Sequence, residues 1–296
     1  MPLRPAMELI HRARAKGYAV GYFESWNLES LQGVLDAAEQ TRSPILVGVN
    51  GEFLSRDMRL APENLAWHAS LCRAAAELSA VPCGMIFNEC SKDSWIRQAA
   101  DLGFSLVMPD DPEADAKAFA SRVADLVHYV HGKGAAVEAE FGHLPCGVSG
   151  TLADGEAELT DPEAAARFVQ STGIDLLAVS VGNVHILLEG SHSLDIDRLA
   201  AIRKKVDVPF DLHGGSGIDA ASLQPAIRLG VAKVCFGTFM KQRYLEAVRR
   251  VLSTGEMNPH KLLGYGGLED LLVAGRLAVR EAVLERIESL GCCGRA

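Results

Sequence analysis

Val208-Pro209-Phe210-Asp211-Leu212-His213-Gly214-Gly215-Ser216-Gly217 passes from an apolar, β-prone run straight into a histidine and a glycine-rich turn. The same order occurs upstream, where Leu176 to Val181 runs into Gly182-Asn183-Val184-His185. In both places a stretch with apolar residues at helical spacing follows, which makes each a strand, a polar loop and a helix in turn. A single histidine before glycines is more often a structural hydrogen-bonding residue than a ligand. Two at the same point of successive units are different, because parallel strands bring those points to one end of a sheet. The imidazoles suit a metal and the glycine-rich turn suits an anion, a pairing that suggests metal chemistry on a phosphorylated sugar.

Outward from these units the alternation spans the chain. Strands are predicted near Tyr18–Phe23, Ile45–Val49, Gly84–Phe87, Ser105–Met108, Ala136–Glu140, Leu176–Val181, Val208–Leu212 and Lys233–Phe236. Helical periodicity covers Leu28–Glu39, Glu63–Leu78, Ser94–Leu102, Ala114–His131, Pro162–Ser171, Asp195–Lys204, Ala221–Leu229 and Phe239–Leu252. Repeated strand and helix require right-handed crossovers, and eight units in about 250 residues predict a closed (β/α)8 TIM barrel rather than an open sheet. Pro44, Pro82 and Pro209 stand at strand starts, where a missing amide donor is tolerated. Asp111-Pro112 and Asp161-Pro162 read as helix starts, with Asp as cap and Pro in the first turn.

No linker interrupts the pattern, so residues 1–296 read as one barrel domain with a C-terminal helical extension over 257–296. That extension holds Pro259, the loop Gly264-Tyr265-Gly266-Gly267 and an amphipathic helix from Glu269 to Leu290, which packs either across the barrel or onto another subunit. Cys292-Cys293 is expected in a mobile tail.

The composition, 48% hydrophobic and 23% charged, is that of a soluble globular protein, and a net charge of -9 argues against a nucleic-acid surface. The longest apolar runs fall well short of the roughly 20 residues a membrane span needs. Met1 to Lys16 has no continuous apolar core of the kind a secretory signal carries, so the cytoplasm is the expected compartment. The seven cysteines are odd in number and lack CxxC spacing, which disfavours a zinc knuckle or a disulfide framework. They read as buried small hydrophobes or free thiols in a reducing compartment.

Barrel enzymes place their chemistry at the carboxyl ends of the strands. There the sequence puts Asn88 and Glu89 after strand three, Asp110 after strand four, Glu138 and Glu140 at the end of strand five, His185 and His213 after strands six and seven, and Gly237-Thr238 after strand eight. Gly214, Gly215 and Ser216 with Gly237 and Thr238 fit the anion cradle that barrels form after strands seven and eight.

These residues resemble the class II, metal-dependent fructose-bisphosphate and tagatose-bisphosphate aldolases over nearly the whole chain. The resemblance is carried by Gly17-Tyr18-Ala19-Val20-Gly21 with Asn27-Leu28-Glu29, by Val137 to Gly142, by Gly182 to His185, by Leu212 to Gly217 and by Glu288-Ser289-Leu290-Gly291. It implies a reversible aldol cleavage of a ketose phosphate through a metal-stabilised enediolate. It also implies that His185 and His213 are metal ligands, that Gly182 and Asn183 sit beside the substrate, and that Glu140 and Asp110 stand close to the metal. The resemblance further suggests a homodimer or homotetramer.

The chain departs from the family's pattern at points that matter. The family's third ligand is the histidine of an Asp-His pair after strand three, where this chain has Asn88-Glu89. A carboxylate can complete a two-histidine zinc site, and its oxygen donor also admits manganese, iron or cobalt. Glu89 is thus either the third ligand or a solvated loop carboxylate. The family's Asp carries a proton that Asn88, with no titratable group, cannot, although its amide can orient a hydroxyl. The family's acid on the loop after strand five falls near Ser149; substitutes are His143 or Asp154, Glu156 and Glu158, with His143 favoured by an ordinary pKa near 6.5. Ile186 stands where the family has glycine, an expected lysine is absent from Leu187 to Gly190, and Cys235 and Gly237 replace the family's Asn and Asp. Glu138 faces either the pocket or a neighbouring lysine.

Three readings follow. The first is an aldehyde-lyase acting on a ketose phosphate other than fructose 1,6-bisphosphate. The second keeps the metal but changes the reaction to isomerisation, epimerisation or decarboxylation of a sugar or sugar-acid phosphate. The third is a non-catalytic sugar-phosphate-binding homologue.

Overall fold

A strand covered on both faces must be apolar throughout, which is why the strand segments read as continuous runs rather than alternations. A computed structural model describes residues 2–111, 114–145, 158–187 and 190–296. Its strands are β1 (Val20–Phe23), β2 (Ile45–Asn50), β3 (Cys83–Cys90), β4 (Leu106–Pro109), β5 (Ala136–Phe141), β6 (Leu176–Val179), β7 (Phe210–Leu212) and β8 (Val231–Phe236). Each pairs in parallel with the next, and β8 returns to β1 with Cys235 opposite Tyr22, closing the predicted barrel. Every strand residue is buried except Glu89, Glu140 and Phe141, all at carboxyl ends.

The helices are α1 (Ala6–Lys16), α2 (Leu28–Thr41), α3 (Gly51–Ser55), α4 (Leu65–Leu78), α5 (Asp93–Asp101), α6 (Ala116–His131), α7 (Pro162–Thr172), α8 (Ile196–Arg203), α9 (Ala220–Arg228), α10 (Thr238–Leu252), α11 (Pro259–Leu262) and α12 (Leu271–Ile287). Asp161 caps α7 through the Ala164 N–H with Pro162 in the first turn, as its sequence predicts. For α6 the start differs. Asp115, not Asp111, accepts from the N–H groups of Lys117 and Ala118, because its carboxylate stands directly before the first turn; Pro112 lies outside the described residues. Helix α1 was not predicted, although Ala6, Leu9, Ile10 and Ala13 give it a buried stripe. Its Ala6 N–H donates to Ser105 Oγ and Leu3 bridges Cys83, so it closes the floor of the barrel opposite the functional end. Among the described residues no helix is long and apolar enough to cross a membrane.

The C-terminal extension packs across the barrel's own helices. Helix α12 lies against α2 and α10, with Arg276 paired to Asp36 through Nε and Nη2 at 2.6 and 2.7 Å. The expected mobile tail is instead tied down: Cys292 is buried, and the Gly294 and Ala296 N–H groups donate to the Thr41 and Arg42 carbonyls. Close approach of α2 and α12 depends on Gly33, where a Cβ would stand 2.5 Å from the Arg276 carbonyl oxygen and 2.9 Å from Val279 Cβ. Gly33→Val is expected to lower unfolding free energy by about 1–3 kcal/mol, the usual effect of overpacking, measured by urea denaturation. A variant as stable as the parent would contradict this packing.

Candidate metal centre and substrate cavities

The site begins at an irregularity in β3. The ladder with β4 steps from Phe87 opposite Val107 to Cys90 opposite Pro109, leaving Asn88 and Glu89 to face Met108 alone. Such a bulge breaks the alternation of side chains and re-aims them, here turning consecutive residues toward one cavity. Glu89 takes φ 48°, a left-handed backbone uncommon outside glycine and often found at functional sites. The sequence places these residues after the strand; the structure has them inside it, because the bulge lets pairing resume at Cys90.

Glu89 Oε1 lies 2.6 Å from His213 Nδ1 and 3.8 Å from His185 Nε2, and the imidazole centroids are 5.2 Å apart. One donor atom from each of the three residues lies within 4.8 Å of the others. Asn50 Nδ2 donates to Glu89 Oε2 at 2.6 Å, holding the carboxylate's other oxygen. Burial would raise the Glu89 pKa, but His213 and His185 hold it well below the usual carboxylate range. Burial also pushes His185 down to about 4, so its imidazole is neutral, with a lone pair to offer, at neutral pH.

His213 Nε2 is 3.0 Å from Asp211 Oδ2 and 3.3 Å from Glu138 Oε1. Carboxylates on that side fix Nε2 as the N–H and orient Nδ1 toward Glu89, the outer-sphere arrangement usual for a metal-binding histidine. Behind them Lys233 Nζ reaches Glu138 Oε2 at 2.8 Å, Asp211 Oδ2 at 3.1 Å and Cys235 Sγ at 3.0 Å. Asp211, His213 and Cys235 also have metal-donor chemistry. There, however, the Lys233 ammonium already lies against Asp211 Oδ2 and Cys235 Sγ and supplies the cation. Two imidazoles and one carboxylate with an oriented second sphere therefore fit a divalent cation at Glu89, His185 and His213.

Two cavities meet at this point and share Asn50, Phe53, Glu89, His185 and Ile186. The first, about 320 Å³, is lined by Gly214, Ser216, Gly237 and Thr238 together with Asn88 and His213. Gly214 has φ 69°, and a Cβ there would stand 2.1 Å from the Val184 carbonyl oxygen, so only glycine allows this turn to approach the loop after β6. Thr238 opens α10, whose N-terminal amides and dipole favour an anion. The second cavity, about 770 Å³, is lined by Asp110, Glu140, His143, Glu52, Glu158 and Arg56.

Several expectations need correction. Asn183 is fully buried: its Oδ1 accepts from the Val181 N–H, and its Nδ2 donates to the carbonyls of Val179 and His213. It ties the two histidine-bearing segments together through these bonds, and neither it nor Gly182 beside it lines either cavity. Gly215 packs under β8, where a Cβ would meet Val234 Cγ1 at 2.7 Å, and is also away from the cavity surface. Asp110 and Glu140 lie outside the three-residue donor group and line the larger cavity. Glu138 bonds Lys233, as one of its two readings anticipated. Ser149, Asp154 and Glu156 fall outside the described residues. Ile186 keeps φ 52°, so the backbone still has the conformation that suits the glycine expected there.

Sequence reading missed Lys241, Glu24, Tyr22, Asp211 and Lys233. Lys241, in the first turn of α10, lines the smaller cavity and pairs with Glu24 at 2.6 Å, supplying a cation beside the anion cradle that the loop after β6 was expected to provide. Its signal was position, since Thr238 to Lys241 forms that first turn. Asp211 and Lys233 had a signal too: charged residues inside short apolar strands are inward-facing by necessity.

A family profile described as "Fructose-bisphosphate aldolase class-II" matches residues 4–295. A probable fructose-bisphosphate aldolase of Bacillus subtilis is 32% identical, with all of both chains aligned. The fructose-bisphosphate aldolase of Thermus caldophilus is 31% identical over 98% of each chain. Among solved structures, the YdjI aldolase of Escherichia coli K12 superposes with a TM-score of 0.81 at 30% identity, over 99% of each chain.

Glu140 gives the site a measurable pH signature. Burial, reinforced by Asp110 and Glu89 against the pull of His213, raises it from 4.5 to about 8. Between those values the folded chain keeps a proton that the unfolded chain releases, so stability falls as pH rises. In chelator-treated protein, Glu140→Gln is expected to remove that slope, making the variant more stable than the parent near pH 8 while the gap closes toward pH 4.5. Parallel pH–stability curves would contradict the assignment.

Proposed function

Because this chain belongs to the class II fructose-bisphosphate aldolase family, we propose that it is a divalent-metal-dependent aldolase whose substrate is a phosphorylated ketose other than fructose 1,6-bisphosphate. The observation that carries the reading is the convergence of Glu89, His185 and His213 beside Asn88, a donor set altered at one ligand and at the adjacent acid. A divalent cation bound there supplies electrostatic stabilisation of the negative charge that develops on the ketose oxygens as the carbon–carbon bond breaks. Zinc is the expected ion, with manganese, iron or cobalt compatible with the Glu89 oxygen.

The chain's own residues divide the remaining work. Gly214, Ser216, Gly237 and Thr238 hold the substrate phosphate at the start of α10, with Lys241 adding positive charge. Glu140, whose pKa burial raises, exchanges a proton with the oxygen that becomes the aldehyde, taking it from the hydroxyl in cleavage and returning it as the alcohol forms in condensation, a task Asn88 cannot perform. His143, exposed at the mouth of the same cavity, is the second candidate for that transfer. The larger cavity receives the aldehyde portion. Its carboxylates Glu52, Asp110 and Glu158 outnumber the one arginine, Arg56, and disfavour a second phosphate, which supports a substrate other than the bisphosphate.

Two measurements test this. Each chain is expected to bind a divalent cation, with Glu89→Ala, His185→Ala and His213→Ala each weakening affinity by more than the roughly 10- to 100-fold typical of an outer-sphere change. In a retro-aldol screen, a ketose monophosphate is expected to exceed fructose 1,6-bisphosphate in kcat/KM by at least about tenfold, a discrimination of the size one or two lost or repelled contacts produce. Metal-loaded protein that releases no aldehyde from any sugar phosphate contradicts the proposal. Deuterium uptake from solvent into a ketose without cleavage would move the reaction to isomerisation or epimerisation.

A further inference from the structure

A left-handed backbone strains any residue that carries a Cβ, and a β-branched residue most of all. Among the described residues Arg42, Glu89 and Ile186 are the three besides glycine that adopt it. Arg42 closes α2 and Glu89 sits in the β3 bulge; Ile186, at φ 52°, is the one β-branched member. Such strain persists where the flanking structure imposes it. Here the His185 N–H donates to the Pro145 carbonyl at 3.0 Å, and Val184, 2% exposed, abuts Gly214. On the other side Leu187, 8% exposed, packs onto Gly217, where a Cβ would stand 2.5 Å from its Cδ2. Between these buried neighbours Ile186 is left 41% exposed. Glycine would satisfy the backbone, and packing within the chain offsets little of the strain, so the isoleucine side chain serves a contact outside the fold.

Its position names that contact. Ile186 directly follows the ligand His185 and lines both cavities. With the phosphate in the smaller chamber and the aldehyde portion in the larger, the carbon–carbon bond that breaks lies where the two meet. We infer that Ile186 is a specificity-determining residue: its branched side chain narrows the passage between the chambers and restricts the substrate to an unbranched carbon chain beside the cleaved bond. A bound chain covers the exposed methyl groups and gives the strained residue apolar contact, while a second carbon substituent there collides with them. The inference rests on the aldolase reading and deepens it by naming the class of ketose phosphate that fits.

The test is aldol condensation by the zinc-loaded chain, with dihydroxyacetone phosphate as donor. In it the donor's hydroxymethyl carbon gives up a proton and bonds the aldehyde carbon, whose oxygen takes up a proton. The two acceptors, propanal and 2-methylpropanal, differ by one methyl on the carbon next to the carbonyl. Wild type is expected to favour propanal, and in Ile186→Ala the ratio of the two kcat/KM values should fall by about tenfold, the low end of what one carbon decides in an apolar site. Ile186→Gly should relax the ratio equally. Metal-free Ile186→Gly should also melt about 2 °C above Ile186→Ala, because glycine alone takes this backbone without strain. An unchanged ratio in both variants overturns the specificity role and leaves the aldolase reading in place. Ile186→Ala melting level with or above Ile186→Gly overturns the imposed strain on which the role rests. Wild-type protein that binds zinc but condenses no aldehyde overturns both readings.

Discussion

The Lys233 ammonium, buried on the barrel axis between Glu138 and Asp211, is the interaction on which the rest of the site depends. It joins β5, β7 and β8 with charge-assisted bonds where a purely apolar interior would leave His213 unsupported. Removing one partner of such a buried group typically costs about 3–5 kcal/mol, because the others are left uncompensated. Burial pushes the Lys233 and Asp211 pKa values toward neutrality, and their mutual attraction wins: the lysine is held above its usual range and Asp211 below. The result is a fixed negative surface against His213 Nε2, which sets the direction in which Nδ1 points.

That orientation meets a second constraint from the opposite side of the barrel. The bulge in β3 turns Glu89 onto His213 Nδ1 while leaving Asn88 in the adjacent cavity, so one local irregularity supplies both a charged donor and a neutral one. A regular strand would have sent one of these consecutive side chains away from the axis. The cavities on either side differ in character. The smaller has an anion cradle and Lys241; the larger is ringed by carboxylates. An asymmetric pair of chambers around one donor group suits a substrate with a single charged end.

Much of this was legible in the chain, for physical reasons that differ by element. The strands could be read because burial on both faces makes runs such as Ile45 to Val49 uniformly apolar, and the helices because one face must match them. His185 and His213 stood out through their glycine-flanked repetition at equivalent strand ends. The bulge could not be read, since nothing in Phe87-Asn88-Glu89-Cys90 announces that pairing resumes at Cys90. The backbone bonds of Asn183 could not be read, because a loop amide next to a ligand has the same sequence signature whether it faces substrate or bonds the backbone of its neighbours. Tyr22 looked like one more apolar strand residue; only its unpartnered hydroxyl sets it apart. Cys292 looked like part of a loose tail, while its burial depends on contacts with distant parts of the chain.

The central claim is that Glu89, His185 and His213 hold the metal, and that Lys233 keeps the neighbouring Asp211 and Cys235 from doing so. Anomalous diffraction at the zinc absorption edge from zinc-loaded crystals tests it directly. The account predicts one strong peak per chain at about 2.0–2.2 Å from Glu89 oxygen, His185 nitrogen and His213 Nδ1. A peak against Asp211 and Cys235 with Lys233 displaced, or no peak at fully loaded stoichiometry, would contradict it.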